Sequence, residues 1–237
     1  MKIHYLQHVP FEDLANIESW ARSRGHDLSR TLLFSDEKLP EMAQFDWLII
    51  MGGPMNIYEE DRYPWLVKEK EFIRRAIASD KMVLGICLGA QLMADVMGSG
   101  IRRNEYREIG WFAVSLTEEG MRSPLFSVLP ERFVALHWHG DTFGIPPGAV
   151  RTAESRACAN QAFIKGKAIG LQFHLESCRD SIDRLLENCA DELTDGPFVQ
   201  SREELSAHPE RLTQIRGLME KLLDRVEEVL GPAQGAS

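Results

Sequence analysis

The sequence lacks the features that mark several classes of protein. It has no apolar run near the roughly 20 residues that a membrane-spanning helix needs, and its longest runs, 47–51 and 82–88, have the length of strands. Positive charge is also scarce, since 27 Lys and Arg stand against 36 Asp and Glu among 237 residues, for a net charge of −9. We therefore expect neither a membrane nor a nucleic acid, whose phosphates attract basic surfaces, as a partner.

Cysteine is scarce as well, and its spacing is not that of a disulfide framework or a zinc site. The chain has four cysteines, none of them in a Cys-x-x-Cys or a Cys/His pattern: Cys87, Cys158, Cys178 and Cys189. The first residues begin a strand pattern at once, without the charged and apolar regions of a secretory signal. These absences predict free thiols and a cytoplasmic location.

Apolar strand patterns alternate with amphipathic helix patterns through the first half of the chain. The run 47–51 stops at Gly52-Gly53-Pro54, and the run 82–86 leads directly into helical spacing. Such β-α-β-α alternation predicts an α/β fold in which helices cover both faces of a doubly wound, mostly parallel sheet. Residues 109–176 instead show shorter strand patterns separated by turns, which indicates an antiparallel or mixed region.

The C-terminal part predicts one long helix. Apolar residues recur at intervals of three and four over 209–230, before a polar tail at 231–237. The helix could pack on its own domain or form a coiled-coil-like partner surface, and a stripe of under four heptads favours the first. Because no repeat or linker divides the sequence, we predict a single domain over 1–237.

Cys87 is the candidate nucleophile. It lies between Gly85 and Gly89, where an apolar strand pattern changes to a helix pattern. This is the layout of a nucleophile elbow, in which a strained turn exposes the reactive atom at the carboxyl edge of the sheet. The N-terminus of the following helix favours the thiolate. The other three cysteines lack this setting, and we interpret them as structural.

His174 and Glu176 are the candidates for the base and its orienting partner. They follow a predicted strand over 167–173, and side chains two residues apart leave a strand on the same face. A thiolate nucleophile requires such a base, held in one tautomer by a third group. The backbone N–H groups of Gly53 and Leu88, each just after a buried strand, are candidates for an oxyanion hole.

A metal site is the alternative interpretation of the histidines. His137 and His139 also have i, i+2 spacing, and together with His174 and Glu176 they could form a ligand set. Trp138 between them and Gly140-Asp141 after them instead predict a strand end turning into a loop. The remaining histidines are scattered through the sequence, and we interpret them as structural: His4, His8, His26 and His208.

Taken together, five segments resemble class I (triad-type) glutamine amidotransferase domains. In chain order they are Gly-Gly-Pro at 52–54, Gly-Ile-Cys-Leu-Gly-Ala-Gln at 85–91, Glu-Ile-Gly-Trp at 108–111, His-Gly-Asp at 139–141 and Gln-Phe-His-Leu-Glu at 172–176. The chain is most similar to stand-alone members that resemble the glutaminase domain of GMP synthetase. It departs from the family at Leu175, where proline is usual, and at Trp138, where serine is usual.

The resemblance implies a flavodoxin-like fold and hydrolysis of the glutamine side-chain amide without a cofactor. In that reaction Cys87 attacks the amide carbon, His174 moves the protons and Glu176 orients its ring. The resemblance further implies an oxyanion hole formed by the following N–H groups: Gly53 and Leu88. It also implies contacts to the substrate from three residues: Gln91, Trp138 and His139.

Several activities share these residues. One is a glutaminase whose ammonia is used by a separate synthetase subunit, since 237 residues leave no room for a synthetase domain. A second is a free-standing hydrolase of γ-glutamyl peptides or γ-glutamyl amines. A non-catalytic binding module and a metal enzyme are further alternatives, and a homodimer is left open. Met55 to Tyr63 and Trp138 are expected to line the pocket that distinguishes the substrates.

Overall fold

One mixed sheet organises residues 1–231, the part of the chain that the computed structural model describes. Its strands are β1 (Lys2–Gln7), β2 (Asp27–Leu32), β3 (Trp47–Ile50), β4 (Met82–Ile86), β5 (Ile101–Leu116), β6 (Arg132–Phe143), β7 (Val150–Ser155), β8 (Ala162–Lys165) and β9 (Ala168–Leu171). Their order is β2-β1-β3-β4-β9-β8-β7-β5-β6. The first five in this order pair in parallel, and the pairs from β9 onward are antiparallel.

Helices connect the strands and close the chain. They are α1 (Asn16–Ser23), α2 (Trp65–Ala78), α3 (Leu88–Val96), α4 (Glu118–Arg122), α5 (Arg179–Asn188), α6 (Arg202–Ser206) and α7 (Pro209–Leu230). Pro at the start of α7 suits a first turn whose N–H groups have no intrahelical acceptor. No helix of the described chain is both long and apolar enough to cross a membrane.

The two faces of the sheet carry separate apolar cores because side chains alternate along each strand. Trp47 and Ile49 of β3 pack in the core that also contains buried residues of α1, α5 and α7. Leu48 and Ile50 pack in the other core, with buried residues of α2 and α3. A strand buried on both sides reads as a continuous apolar run, which is why β3 and β4 stand out in the sequence.

The fold class predicted from the sequence is confirmed. The parallel strands occupy one half of the sheet, with helices on both faces, and the predicted antiparallel region forms the other half. Residues 209–230 form a helix that packs against α1 and β6 of the same chain. The tail predicted at 231–237 lies, beyond Gly231, outside the described residues.

Candidate active site

The carboxyl ends of β1, β3, β4 and β9 meet at one edge of the sheet. Open α/β folds bind ligands at this edge, beside the point where the strand order reverses, which here lies between β1 and β3. A cavity of about 490 Å³ opens there. Except for Glu176, all the candidate catalytic, oxyanion-hole and substrate-binding residues line it: Gly53, Cys87, Leu88, Gln91, Trp138, His139 and His174.

Cys87 occupies a strained turn between β4 and α3. Its φ of 52° and ψ of −108° are values that a residue with a side chain rarely adopts. The turn brings α3 close to the sheet, where a side chain at Gly89 would collide with the Ile50 carbonyl oxygen. The Cys87 Sγ lies 3.6 Å from the carbonyl oxygen of Trp138 and 3.7 Å from Nε2 of Gln172. The geometry is that of a nucleophile elbow, and Cys87, although buried, lines the cavity.

His174 and Glu176 form a buried pair on the wall beside Cys87. Nδ1 of His174 is 2.6 Å from Oε1 of Glu176, and both side chains are at most 6% exposed. Burial lowers the pKa of His174, but the charge of Glu176 and hydrogen bonding with Cys87 and Glu176 outweigh it, so that this pKa lies well above its usual value. Glu176 therefore holds the ring and leaves the Nε2 side for Cys87.

Glu12 brings a second carboxyl group to His174. A side chain at Gly52 would collide with Oε2 of Glu12 and would lie 3.5 Å from Cε1 of His174, so the carboxyl and the ring border the same spot. Burial raises the pKa of Glu12 to about 7, against the opposing charges of His174 and His8. The cavity therefore contains a carboxyl that titrates near neutral pH.

The loop that carries Glu12 is attached to α5 and to the segment that carries the His174–Glu176 pair. Arg184 of α5 pairs with Asp13 at 2.9 Å and donates to the carbonyl oxygen of Phe11 at 3.1 Å. The N–H of Asn16 donates to the carbonyl oxygen of Glu176 at 2.9 Å. Both chain neighbours of Glu12 are thus fixed, which holds its carboxyl against the cavity.

The two residues predicted to supply oxyanion donors line the same cavity as Cys87. Gly53 follows β3 and lines the cavity, and Leu88 is the first residue of α3. The first N–H groups of a helix have no intrahelical acceptor, so that of Leu88 is available to a ligand. The distance between the two elements is set by the pairing of β3 with β4.

The three predicted substrate-binding residues line the cavity, but their side chains differ in what they can offer. Nε2 of Gln91 donates to Oε1 of Gln172 at 3.2 Å. Both ring nitrogens of His139 are occupied, Nδ1 by the carbonyl oxygen of Asp141 at 3.0 Å and Nε2 by Glu108 at 3.2 Å. Trp138 presents its backbone to Cys87. His139 can therefore serve a substrate through its backbone and not through its ring.

The cavity is acidic around its mouth. Arg107 is the one Lys or Arg among the residues that line the cavity. Four carboxyl side chains line it: Glu12, Asp141, Asp191 and Glu192. Nη1 of Arg107 donates to the carbonyl oxygen of Glu192 at 3.0 Å. Burial raises the pKa of Glu192, against the charge of Arg107. A ligand with an ammonium group and a carboxylate would find opposite charges for both.

Glu108, His137 and His139 form a separate group inside the antiparallel half of the sheet. One ligand atom from each lies within 4.8 Å of the others, but hydrogen bonds already engage the carboxylate. Glu108 accepts from Ser155 Oγ at 2.9 Å and from Gln161 Nε2 at 2.7 Å, besides its contacts with both histidines. Burial would raise the pKa of Glu108, but the two histidines outweigh it and hold that pKa far below its usual range. The group therefore consists of a buried Glu108 carboxylate and the side chains that donate to it.

Comparison with known proteins agrees with this geometry. Residues 15–193 match the family model of class I glutamine amidotransferases. The chain belongs to the class I glutamine amidotransferase family. It is 33% identical to the glutamine amidotransferase-like protein YfeJ of Salmonella typhimurium over 215 residues, 87% of this chain and 90% of that protein.

Solved glutamine amidotransferases have the same fold over nearly the whole chain. One from Thermotoga maritima superposes with a TM-score of 0.86 at 32% identity, covering 96% of this chain and 98% of its own. One from Methylobacillus flagellatus gives a TM-score of 0.90 at 26% identity, covering 100% and 98%. GMP synthase of Thermomicrobium roseum is 36% identical over 132 residues, which are 54% of this chain and only 23% of that larger protein.

Three details of this amidotransferase differ from the sequence-based expectations. His137 and His139 lie within β6, which continues to Phe143, so the predicted strand end at these residues is wrong. The predicted strand over 167–173 ends earlier, at Leu171, and His174 forms an isolated bridge with Leu136. The alternative of a metal site combined His137 and His139 with His174 and Glu176. In the structure these two pairs belong to the two separate groups described above.

Sequence reasoning missed several residues that the amidotransferase fold brings to the site. Glu108 and Gln172 stand within the family motifs, so their positions carried a signal that was not used. Glu12 lies in the loop after β1, Arg107 in β5 and Glu192 in a short helical turn after α5, and none of them belongs to a motif. They come from three different parts of the chain, so no local sequence pattern predicts that they lie together at the cavity.

Proposed function

We propose that this protein hydrolyses the side-chain amide of glutamine through a thioester on Cys87. The thiol proton passes to His174, and Sγ bonds to the amide carbon. His174 then donates that proton to the nitrogen as the carbon–nitrogen bond breaks, which releases ammonia. Water, deprotonated by His174, cleaves the thioester, so the balance is glutamine plus water to glutamate plus ammonia.

The observation that carries this proposal is the joint position of Cys87 and His174 on one cavity wall, with Glu176 2.6 Å from the far ring nitrogen. The pKa of His174, which lies well above its usual value, suits this ring to accept the thiol proton. A general base oriented by a buried carboxylate and adjacent to a cysteine is the arrangement of cysteine acyl-transfer enzymes. The strained backbone of Cys87 fits this role, because strain is concentrated at functional residues.

The tetrahedral intermediate requires donors for its oxyanion. We assign these to the N–H groups of Gly53 and Leu88, two residues that line the cavity together with Cys87. Loss of one such donor costs about 100-fold to 1000-fold in turnover in other acyl-transfer enzymes. Arg107 is our candidate for the α-carboxylate of the substrate, and the acidic residues at the mouth are candidates for its α-ammonium group.

The ammonia would be used by a synthetase on a separate chain. GMP synthases carry a region similar to this chain within a protein about three to four times as long as the matched part, as their coverage of 23% to 31% indicates. By analogy, the present chain would supply the glutaminase half of such a reaction. Co-purification with an ATP-dependent ligase that gains glutamine-dependent activity would support this partner.

A second candidate is hydrolysis of γ-glutamyl amines. The carboxyl groups of Glu12, Asp191 and Glu192 exceed what one α-ammonium group needs. A leaving amine that carries a further positive charge would be attracted to the same mouth. The acidic lining therefore favours amines over γ-glutamyl peptides, whose leaving amino acids carry a carboxylate.

Release of glutamate from a substrate panel tests both candidates. Purified protein and its Cys87→Ala variant are offered glutamine, a γ-glutamyl dipeptide and a γ-glutamyl diamine. Cys87-dependent release from glutamine supports the first candidate, and release from the diamine alone supports the second. Equal release by both proteins from every substrate, with and without cell lysate to supply a partner, would refute catalysis by Cys87.

A further inference from the structure

A buried histidine and glutamate lie behind the Gly52–Gly53 turn, away from the cavity. His8 follows β1 and Glu69 belongs to α2, and neither side chain has exposed surface. Nε2 of His8 is 2.8 Å from Oε1 of Glu69, and Nδ1 of His8 is 2.9 Å from the carbonyl oxygen of Gly52. Neither residue is among those that line the active-site cavity. The pair therefore reaches the cavity through its hydrogen bond to Gly52, besides the charge of His8 that acts on Glu12.

The proton positions follow from the chemistry of the three groups. A carbonyl oxygen only accepts hydrogen bonds, so Nδ1 of His8 carries a proton. Burial lowers the pKa of His8, but the charge and hydrogen bond of Glu69, together with the bond to Gly52, outweigh burial and raise it. The ring is thus stabilised as an imidazolium that donates to the carboxylate on one side and to the carbonyl on the other.

Planarity of the peptide bond transmits this contact to the cavity. The Gly52 carbonyl and the Gly53 N–H belong to one peptide unit, and the described chain has no cis peptide bond. In a trans unit the two groups point in opposite directions. Directing the carbonyl toward His8 therefore directs the N–H away from His8. Gly53 itself lines the cavity, and a side chain there would lie 3.0 Å from Cβ of His8, which leaves the turn little room to shift.

We propose that His8 and Glu69 are positioning residues that orient and polarise the Gly52–Gly53 peptide for its role in the oxyanion hole. This inference rests on the proposed hydrolysis through Cys87. A cationic donor on the carbonyl increases the polarisation of the whole peptide unit, because linked hydrogen bonds strengthen one another. The Gly53 N–H thereby becomes a stronger and better directed donor to an oxyanion, while binding of the uncharged substrate amide changes little.

The energetics of the pair point away from a purely structural role. Glu69 lies among the buried apolar residues of α2, and its Oε2 has no partner among the residues that the structure describes. A buried ion pair with an unsatisfied oxygen is a poor source of stability, and apolar replacements of similar volume are often neutral or stabilising. Replacing His8 and Glu69 by apolar residues would, however, remove the hydrogen-bond donor to the Gly52 carbonyl oxygen.

Two variants test the role. Glu69→Gln retains the shape and removes the charge, and the double variant His8→Leu with Glu69→Leu replaces the whole pair by apolar groups. The matched control is His4→Leu, since His4 is also a buried histidine, but lies within β1 and bonds to Ser29 and Thr31 at 2.8 and 3.0 Å. Each protein is assayed for glutamate release, for melting temperature and for the rate of Cys87 alkylation by iodoacetamide, followed on the Cys87 peptide by mass spectrometry.

Alkylation separates positioning from general disturbance because it uses the Cys87 thiolate and forms no oxyanion. We expect kcat to fall about 10-fold to 100-fold in the double variant, below the loss of a whole oxyanion donor, and less in Glu69→Gln. KM should stay within about twofold, and the alkylation rate should equal that of the wild type. His4→Leu should retain the wild-type kcat.

Three outcomes would overturn the inference or its basis. Wild-type kcat in folded variants would refute the positioning role. A parallel fall in kcat and alkylation would show that the pair only supports the site structurally. If Cys87→Ala and the wild type release the same glutamate, the proposed function itself fails, and the inference fails with it. Should the double variant not fold, Glu69→Gln alone decides between the first two outcomes.

Discussion

His174 pairs with one glutamate at the cavity wall, whereas His137 and His139 share Glu108 inside the antiparallel half of the sheet. Both groups are buried and consist of histidine and glutamate, and each contains one i, i+2 pair. In the first group, Glu176 occupies one ring nitrogen of His174 and the other side of the ring faces Cys87. In the second, the Glu108 carboxylate accepts from Ser155, Gln161 and His139, lies 3.4 Å from His137, and does not line the cavity.

This difference shows what makes a buried histidine chemically useful. A ring with one nitrogen fixed and the other directed at a nucleophile can take up and return a proton. A carboxylate surrounded by donors keeps one charge state and stabilises the hairpin of β5 and β6 around it. The same residue types therefore occur in the His174–Glu176 pair, which we propose transfers protons, and in the Glu108 network. The number of groups around the carboxylate and the ring nitrogen left for Cys87 separate the two.

Substitution of one histidine from each group tests this comparison most directly and should have the largest effect. His174→Asn should lower kcat by about four orders of magnitude, because removal of a catalytic base has effects of this size. His137→Asn, the matched control, should keep kcat within about tenfold once the folded fraction is taken into account. Initial rates of glutamate release measure both. Similar losses in the two variants would contradict the division into a catalytic and a structural group.

A substitution in the group of Glu108, His137 and His139 should lower the free energy of unfolding. Glu108→Gln removes a buried charge that accepts from Ser155 and Gln161, so we expect the free energy of unfolding to fall by about 3 kcal/mol. The control Glu154→Gln removes an exposed carboxylate that pairs with Arg151 at 3.0 Å and should change it by less than about 1 kcal/mol. Urea denaturation measures both values. A loss of kcat in Glu108→Gln without loss of stability would assign Glu108 to the reaction.

The stability of the protein should also depend on pH near neutrality because of Glu12, which lines the cavity. Its pKa rises from 4.5 to about 7 on folding, so its contribution to stability is fully present below the lower value and is lost as the pH rises through the upper one. Glu12→Gln cannot ionise, and its stability relative to the wild type should rise by about 2 kcal/mol between about pH 5 and pH 8. Urea denaturation across this pH range tests it, with exposed Glu131→Gln as the control that should show no such change.

The smallest expected effect concerns substrate binding at the mouth. Arg107→Ala removes the one guanidinium among the lining residues, and KM for glutamine should rise about tenfold, which corresponds to about 1.4 kcal/mol of lost binding. Arg103→Ala, on the same hairpin but outside this lining, should leave KM unchanged. Steady-state kinetics decide the matter. A fall in kcat with unaltered KM would mean that Arg107 acts on the chemical step instead of on binding.

Local patterns were sufficient to predict the elbow at Cys87 and the pairing of His174 with Glu176. The first depends on a strand that passes directly into a helix, and the second on two residues that are neighbours in the chain. The end of β6 was predicted too early because Gly140-Asp141 resembles a turn. Pairing of residues 101–103 with 141–143, across a register shift in β5, extends the strand instead. That pairing is a property of the partner strand and leaves no signal at 137–141 itself.

The sequence by itself determined the fold class, the family and the candidate nucleophile, because strand and helix periods and the family motifs are contained in short segments. Only the tertiary structure decided which histidines share a carboxylate. His8 and Glu69, 61 residues apart, meet behind Gly52 because β1 pairs with β3 and α2 packs over that face of the sheet. Contacts of this kind arise from the packing of distant elements, and the same packing brings Glu12, Arg107 and Glu192 around Cys87.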